Sequence, residues 1–163
     1  MPGSGESERV VLQRGLWFEE FDVGTRYLHR PGRTVTEGDN VLFTTLTMNT
    51  QALHLDAAWA ASQPYGRRVV NSMFTLSTMV GLSVAQLTQG TLVANLGFGA
   101  VAFAQPVFHG DTLYAETVVL AARVSRSRPG QGVVSLAHTA RNQDGVIVAT
   151  AERTALVWMR PRE

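Results

Sequence analysis

The chain contains no cysteine and no lysine among its 163 residues. Without cysteine, disulfides, thiolate chemistry and cysteine-ligated zinc are excluded, and a reducing cytoplasm is the expected location. The basic residues are all arginine, and the formal net charge is only +1, which excludes the strongly basic surface of a nucleic-acid-binding protein. Charged residues make up just 17% of the chain against 45% hydrophobic ones, so we expect part of the surface to be covered in an oligomer.

The first 14 residues are polar and lack the apolar core of a signal peptide. We therefore expect a loosely attached tail over residues 1–14 and a single domain over residues 15–163, a length that can bury a core of its own. Trp17, Phe18 and Phe21 form an aromatic group that is expected to pack this lead-in segment onto the domain.

The stretch Val69–Leu87, VVNSMFTLSTMVGLSVAQL, contains no charged side chain. It is apolar on nearly every helical face, which predicts a buried central helix. Its length is near that of a membrane span. However, seven of its residues are polar, so we predict no membrane span: Asn71, Ser72, Thr75, Ser77, Thr78, Ser83 and Gln86.

The remaining pattern predicts an α+β fold. A strand is expected over residues 26–36, limited by Pro31 and Gly32 to a sheet edge or a bend. A helix capped by Thr36 or Asp39 follows and ends near Met48; residues 49–56 form a turn, and a short helix covers residues 56–62. Four β-rich segments, residues 93–103, 112–124, 132–141 and 146–159, complete an antiparallel sheet that is predicted to wrap around the central helix.

Three stretches resemble one known family. They are Arg33–Asp56 (RTVTEGDNVLFTTLTMNTQALHLD), residues 68–83 (RVVNSMFTLSTMVGLS) and Val101–Leu113 (VAFAQPVFHGDTL). Together, and in this order, they resemble the entry segment, central helix and strand–turn–strand element of the MaoC-like acyl-CoA hydratases and dehydratases. The resemblance implies a hot-dog fold, an acyl-CoA substrate, and a homodimer or multiple of dimers with the acyl pocket at the subunit seam.

The resemblance also assigns roles to individual residues. His54 matches the catalytic histidine of the family, and Asn49 stands where the family has a catalytic aspartate. Gln51 stands at an asparagine position of the same motif. Asn71 and Ser72 match a His-Gly pair, so the Ser72 N–H falls where the family binds the thioester oxygen. The segments Asn49-Thr50-Gln51 and Val70-Asn71-Ser72 look most like those of the family branch that contains mesaconyl-CoA hydratase.

The residues themselves suit this chemistry. Hydration of an enoyl thioester needs a group that takes a proton from water, and donors aimed at the oxygen where negative charge develops. His54 suits the first task because its ordinary pKa lies near neutrality. The N–H groups of Ser72 and Met73 suit the second, because a helix N-terminus favours negative charge. Asn49 cannot accept a proton and is expected to orient the water, while Gln51, Asn71 and Met73 are predicted to contact substrate.

Each of these residues also has a structural interpretation. His54 could cap the short helix that follows it, and Gln51 could bond only backbone. Asn49 is a natural turn former. Asp56 could replace the missing carboxylate, but it is better interpreted as a helix N-cap. His29, His109 and His138 lie in strands or turns without partner spacing and are expected to be structural, and no metal site is predicted.

Arginines form two groups: Arg67 and Arg68 in one, and Arg123, Arg126 and Arg128 in the other. The run Arg-Val-Ser-Arg-Ser-Arg at a strand end would suit the phosphates of coenzyme A, so Arg126 and Arg128 are predicted to bind substrate, with plain solvated surface as the alternative. The sequence favours an enoyl-CoA hydratase or dehydratase that uses no cofactor beyond the coenzyme A of its substrate. An acyl-CoA thioesterase and a non-catalytic acyl-CoA-binding subunit are the alternatives.

Overall fold

A computed structural model of the chain describes residues 8–161, so half of the predicted tail lies outside the described residues. A 3-10 turn at Phe18–Glu20 leads into the main elements. The strands are β1 (Arg26–Thr34), β2 (Leu92–Ala102), β3 (Thr112–Val124), β4 (Gln131–Arg141) and β5 (Ile147–Trp158). The helices are α1 (Glu37–Leu46), α2 (Ala52–Leu55), α3 (Ala57–Ala61) and α4 (Ser72–Leu87).

The five strands form one antiparallel sheet in the order β1-β3-β4-β5-β2. This confirms the predicted α+β plan, and the predicted bounds of β3 are those of the structure. The inner face of the sheet packs on α4 through a cluster that includes Met79, Leu113 and Ala151. A second cluster around Leu87 and Leu136 fills the other end of this interface.

The two edges of the sheet differ. In β1 the pairing with β3 is interrupted between His29 and Arg33, around Pro31, which has no N–H to donate. The edge position predicted for this segment is therefore confirmed. The opposite edge, β2, is bonded only to β5 within the described chain and exposes apolar side chains such as Phe98 and Val101.

Helix α4 differs from its prediction in two ways. It begins at Ser72 rather than Val69, because the Val70 N–H donates to the Val107 carbonyl and Asn71 caps the helix. It is also not buried on all sides: Leu76 and Met79 face the sheet, whereas Met73 is 52% exposed. Within the part of the chain that the structure describes, no helix is long and apolar enough to cross a membrane.

The lead-in segment packs as its aromatic residues predicted. Phe21 is buried, and Phe18 lies so close to Gly132 that a Cβ there would be 1.9 Å from the Phe18 ring. Glu20 accepts hydrogen bonds from Arg14 and from the Trp17 N–H. These donors, led by Arg14, lower the pKa of Glu20 to about 2.

A row of buried polar side chains crosses the inner face of the sheet. The Thr117 hydroxyl lies 2.7 Å from His29 Nε2 and 2.8 Å from His138 Nδ1. Burial, and then the nearby Arg153 and His29, lower the pKa of His138 to about 4. His138 Nε2 and Arg153 Nη1 are fully buried without a hydrogen-bond partner among the described residues. The histidine therefore resists protonation in the folded state.

The predicted helix caps are present. Thr36 caps α1 by accepting a hydrogen bond from the Asp39 N–H, and Asp56 caps α3 by accepting one from the Trp59 N–H. The turn predicted for residues 49–56 is wrong in part, because it contains the helical turn α2. Four residues are too few to show a helical period, so the sequence pattern could not reveal it.

Candidate active site

A cavity of about 660 Å³ lies between α2, the N-terminus of α4, the loop after β2 and the start of β5. Its polar lining comes from His54, Tyr65, Ser72, Thr75 and Gln105, and the rest of its wall is mainly apolar. A mostly apolar pocket with a few converging polar groups is the usual form of a small-molecule site. Two of the predicted catalytic residues, His54 and Ser72, therefore share one cavity.

The orientation of His54 is fixed by backbone. Its Nδ1–H donates to the Val69 carbonyl at 2.8 Å, and the Val69 N–H donates to Leu53 in return. A carbonyl can only accept, so the neutral ring carries its proton on Nδ1. Nε2 is left with a free lone pair and no partner among the described residues. His54 thus has the tautomer that a general base needs.

Of the two donors predicted at the N-terminus of α4, only the Ser72 N–H is free. The Met73 N–H is bonded to the Asn71 side chain at 3.0 Å, which corrects the expectation that it is free. Asn71 is buried behind the cavity and its amide serves as the helix cap. Ser72 is the first residue of the helix, lines the cavity, and its N–H makes no bond to the described chain.

Asn40, which sequence reasoning missed, connects these parts. Its fully buried side chain accepts a hydrogen bond from the Asn71 N–H at 2.8 Å. Its amide nitrogen donates to the His54 carbonyl and to His109 Nε2, at 3.2 and 3.1 Å. One residue therefore holds α2, the start of α4 and the loop of His109 together. One sequence signal could have pointed to Asn40. Asn40 and Thr44 are polar residues one helical turn apart, and both lie on the buried face of α1.

The other residues of the predicted motif lie outside the lining of the cavity. Asn49 Oδ1 accepts from the Gln51 N–H at 3.1 Å, which forms a turn, and Gln51 is exposed. Asp56 Oδ1 accepts from the Trp59 N–H at 2.9 Å, as expected for an N-cap. Its carboxylate is therefore occupied by the helix, and the surrogate catalytic role loses its structural basis. Catalytic or binding roles for Asn49 and Gln51 stay predictions.

His109 is near the site, contrary to the expectation that it is an ordinary turn residue. Burial, followed by the charge of Arg68, lowers its pKa, and Arg67 adds to this effect. It lines a smaller concavity of about 290 Å³ together with Ala57, Gly66, Arg67 and Arg68. Arg67 and Arg68 place positive charge near the cavity of His54.

Arg126 and Arg128 lie elsewhere. They line a separate cavity of about 560 Å³ with Arg123 and Leu96, at the end of the sheet where β2 begins and β3 ends. The cavity of His54 lies at the opposite end, where β2 ends and β5 begins. The predicted role of Arg126 and Arg128 in substrate binding therefore has no support from their position within one protomer. Over residues 8–161, no group of His, Asp and Glu is arranged to hold a metal ion.

The chain belongs to the family of the MaoC-like domain, whose family model matches residues 19–142. Among solved structures, a MaoC domain protein of Chloroflexus aurantiacus superposes with a TM-score of 0.86 at 29% identity, over 94% of this chain and 43% of that one. A Mycobacterium tuberculosis protein described as having a double hot-dog fold gives a TM-score of 0.80 at 23% identity, over 91% of this chain and 46% of that one. The predicted hot-dog fold is confirmed.

Three relatives share 31% identity with the chain. β-Methylmalyl-CoA dehydratase of Chloroflexus aurantiacus matches over 90% of this chain and 41% of its own length. Mesaconyl-CoA hydratase of Cereibacter sphaeroides matches over 83% of this chain and 42% of its own length. The (R)-specific enoyl-CoA hydratase of Aeromonas caviae matches over 68% of this chain and 77% of its own length. The predicted likeness to mesaconyl-CoA hydratase is confirmed, and the chain spans about two fifths of the first two relatives.

Proposed function

We propose that this domain adds water to the double bond of an enoyl-CoA thioester, and removes it in the reverse direction, with His54 as the general base. The observation that carries the proposal is that His54, whose Nε2 has no partner among the described residues, and Ser72, whose N–H is free, line the same cavity. The three relatives named above are hydratases or dehydratases of CoA thioesters, which supports the same chemistry.

The reaction then proceeds as follows. His54 Nε2 takes a proton from water while the hydroxyl oxygen bonds to the β-carbon. The electron pair of the double bond moves toward the thioester carbonyl, whose oxygen gains negative charge. The Ser72 N–H stabilises that charge at the positive end of α4. The protonated His54 then gives its proton to the α-carbon, so that one water has been added in total.

The acyl chain that we propose is short, and branched or dicarboxylic like a mesaconyl group. Two relatives are named for mesaconyl-CoA and β-methylmalyl-CoA. Within this cavity, Tyr65, Thr75 and Gln105 offer donors for a second carboxylate, and apolar residues such as Val70 and Val148 offer room for a methyl branch. A cytoplasmic location and the absence of a further cofactor stay predictions.

We further propose that the domain works as a homodimer joined along β2. This strand is an open sheet edge, and its side chains Phe98 and Val101 are exposed in the protomer. Helix α1 turns Leu42 and Leu46 outward, at 61% and 74% exposure. The Val101→Asp variant should shift the mass in light scattering from dimer to monomer.

The test of the function is an assay of purified protein on a panel of enoyl-CoA thioesters that includes mesaconyl-CoA and crotonyl-CoA. Water addition is followed by loss of the conjugated thioester absorbance, and free thiol is measured in the same samples. We expect hydration without thiol release. Thiol release without hydration would contradict the proposal and favour the thioesterase alternative.

One observation favours a second candidate, a non-catalytic acyl-CoA binder. No carboxylate lines the cavity in the described part of the chain, and Asn49 stands where the family has an aspartate. The Asn49→Asp variant keeps an oxygen that can accept the Gln51 N–H, so the turn should survive. Hydration that is absent in the natural chain and present in this variant would identify a binder that has lost its acid.

A further inference from the structure

We propose that Arg67, Arg68 and His109 bind the phosphate groups of a coenzyme A thioester whose acyl end lies in the cavity of His54. These three residues line a concavity of about 290 Å³ beside that cavity. The inference rests on the proposed substrate class, and it assigns the phosphates to a different group of arginines from the one that the sequence pattern indicates.

Phe108 and Arg67 connect the two cavities. The Phe108 side chain lines the cavity of His54, and the Arg67 guanidinium lies 3.7 Å from the centroid of its ring. Tyr65, which lines the same cavity, packs edge-to-face on Phe108 with ring centroids 6.1 Å apart. A ligand that leaves the cavity past Tyr65 and Phe108 would therefore meet Arg67 first.

The charge of this concavity suits an anion. Arg67 forms no ion pair with the described residues, and its guanidinium is held in place by stacking, which leaves its N–H groups free for phosphate. Arg68 is 16% exposed and paired with Glu37, a carboxylate that is itself 61% exposed. Exposed pairs of this kind are weak, so a phosphate that carries more charge can compete with Glu37 for Arg68.

His109 joins the phosphate site to the catalytic one. Its Nε2 accepts a hydrogen bond from the Asn40 amide, so the neutral ring has its proton on Nδ1. The same amide donates to the His54 carbonyl. One buried side chain thus contacts both His109 and the proposed general base.

The experiment measures the dissociation constants of free coenzyme A and of pantetheine, which lacks the phosphates, for wild type, Arg67→Gln and Arg68→Gln. Each variant should weaken coenzyme A about three- to tenfold, as expected for one partly exposed charge-assisted contact, and leave pantetheine binding unchanged. Arg30→Gln is the matched control, because Arg30 also stacks on an aromatic ring, Tyr114, but on the edge strand β1. It should bind coenzyme A as wild type does.

Equal affinity of wild type and both variants for coenzyme A would overturn the proposal. So would an equal loss for pantetheine, or a loss found only in Arg126→Gln and Arg128→Gln. Because binding is measured without turnover, the outcome is independent of the proposed reaction. Phosphate-dependent binding through Arg67 and Arg68 in a protein that hydrates no thioester would support this site and remove the hydratase assignment.

Discussion

The two ends of the sheet both carry arginines and a cavity, but the residues around the two cavities differ. At one end, His54 and Ser72 line the cavity, and the buried Asn40 donates to the His54 carbonyl. At the other end, Arg126 and Arg128 line a cavity beside Leu96 and the solvent-exposed turn between β3 and β4. There the neighbouring contacts, such as Phe18 on Gly132, are packing contacts.

The comparison teaches that a cluster of like charges does not by itself mark a ligand site. The run Arg-Val-Ser-Arg-Ser-Arg is the more conspicuous motif in the sequence, whereas Arg67 and Arg68 acquire their importance from the loop that brings them to Phe108 and His109. If the two ends have different tasks, substitutions at one end should change catalysis and substitutions at the other should change only stability.

The largest effect is expected from His54→Asn. The asparagine amide can still donate to the Val69 carbonyl, so the fold should be kept, but the group that accepts the proton from water is lost. We expect kcat for hydration to fall about 10²- to 10⁴-fold, with a melting temperature close to that of wild type. Activity within threefold of wild type would show that His54 is not the base.

The next effect is expected from Ser72→Pro. Proline at the first position of a helix is tolerated, and Asn71 before it already has the extended backbone that a residue preceding proline prefers, with φ −55° and ψ 125°. The change removes the N–H that is proposed to bind the thioester oxygen, together with the side-chain hydroxyl. The rate should fall about 10²- to 10³-fold.

Ser72→Ala is the matched control for this change, because it removes the hydroxyl and keeps the N–H. Its hydration rate should stay within a few-fold of the wild-type rate. Equal losses in the two variants would instead assign the effect to the hydroxyl.

At the far end, Gly132→Ala should destabilise the fold without changing the chemistry. Its new Cβ would lie 1.9 Å from Phe18 Cδ2, so the ring must move out of its packing. Overpacking of this kind costs about 1–3 kcal/mol of unfolding free energy, which denaturant titration measures. Gly38→Ala is the control, because its Cβ would meet only Thr36 Oγ1 at 3.8 Å. A loss of hydration rate in folded Gly132→Ala would contradict the separation of the two ends.

The last prediction concerns the centre of the sheet and depends on pH. The pKa of His138 is about 4 when folded, against 6.5 as its ordinary value, so the unfolded chain binds this proton first. Stability should therefore fall as pH drops from about 6.5 toward 4, by at most about 1.4 kcal/mol per pH unit. In His138→Gln this part of the slope should be absent from denaturant titrations made across that range. An unchanged slope would mean that other groups, such as His29, set the dependence.

Much of the fold was predictable because its signals are local. The strand bounds follow from β-branched residues between turns, and the caps Thr36 and Asp56 from side chains that bond their own neighbours. His54, which its position in a family motif singled out, lines the cavity of the candidate site.

What could not be predicted depends on contacts between distant segments. The Val70 N–H donates to the Val107 carbonyl, so α4 begins later in the chain than predicted. The Asn71 side chain caps the helix by accepting the Met73 N–H, which is then no longer free for a ligand. These contacts decide how many donors the cavity receives.

The sequence by itself determined the elements of this protein, the family motif around His54 and the chemistry that a histidine and a helix N-terminus allow, because these depend on residues close together in the chain. Only the tertiary structure decided that Asn40 bridges His54 to His109, and that the two arginine groups lie at opposite ends of one sheet. Their separation is set by strand pairing and by the packing of α1 and α4, in which the contacting residues are far apart in sequence.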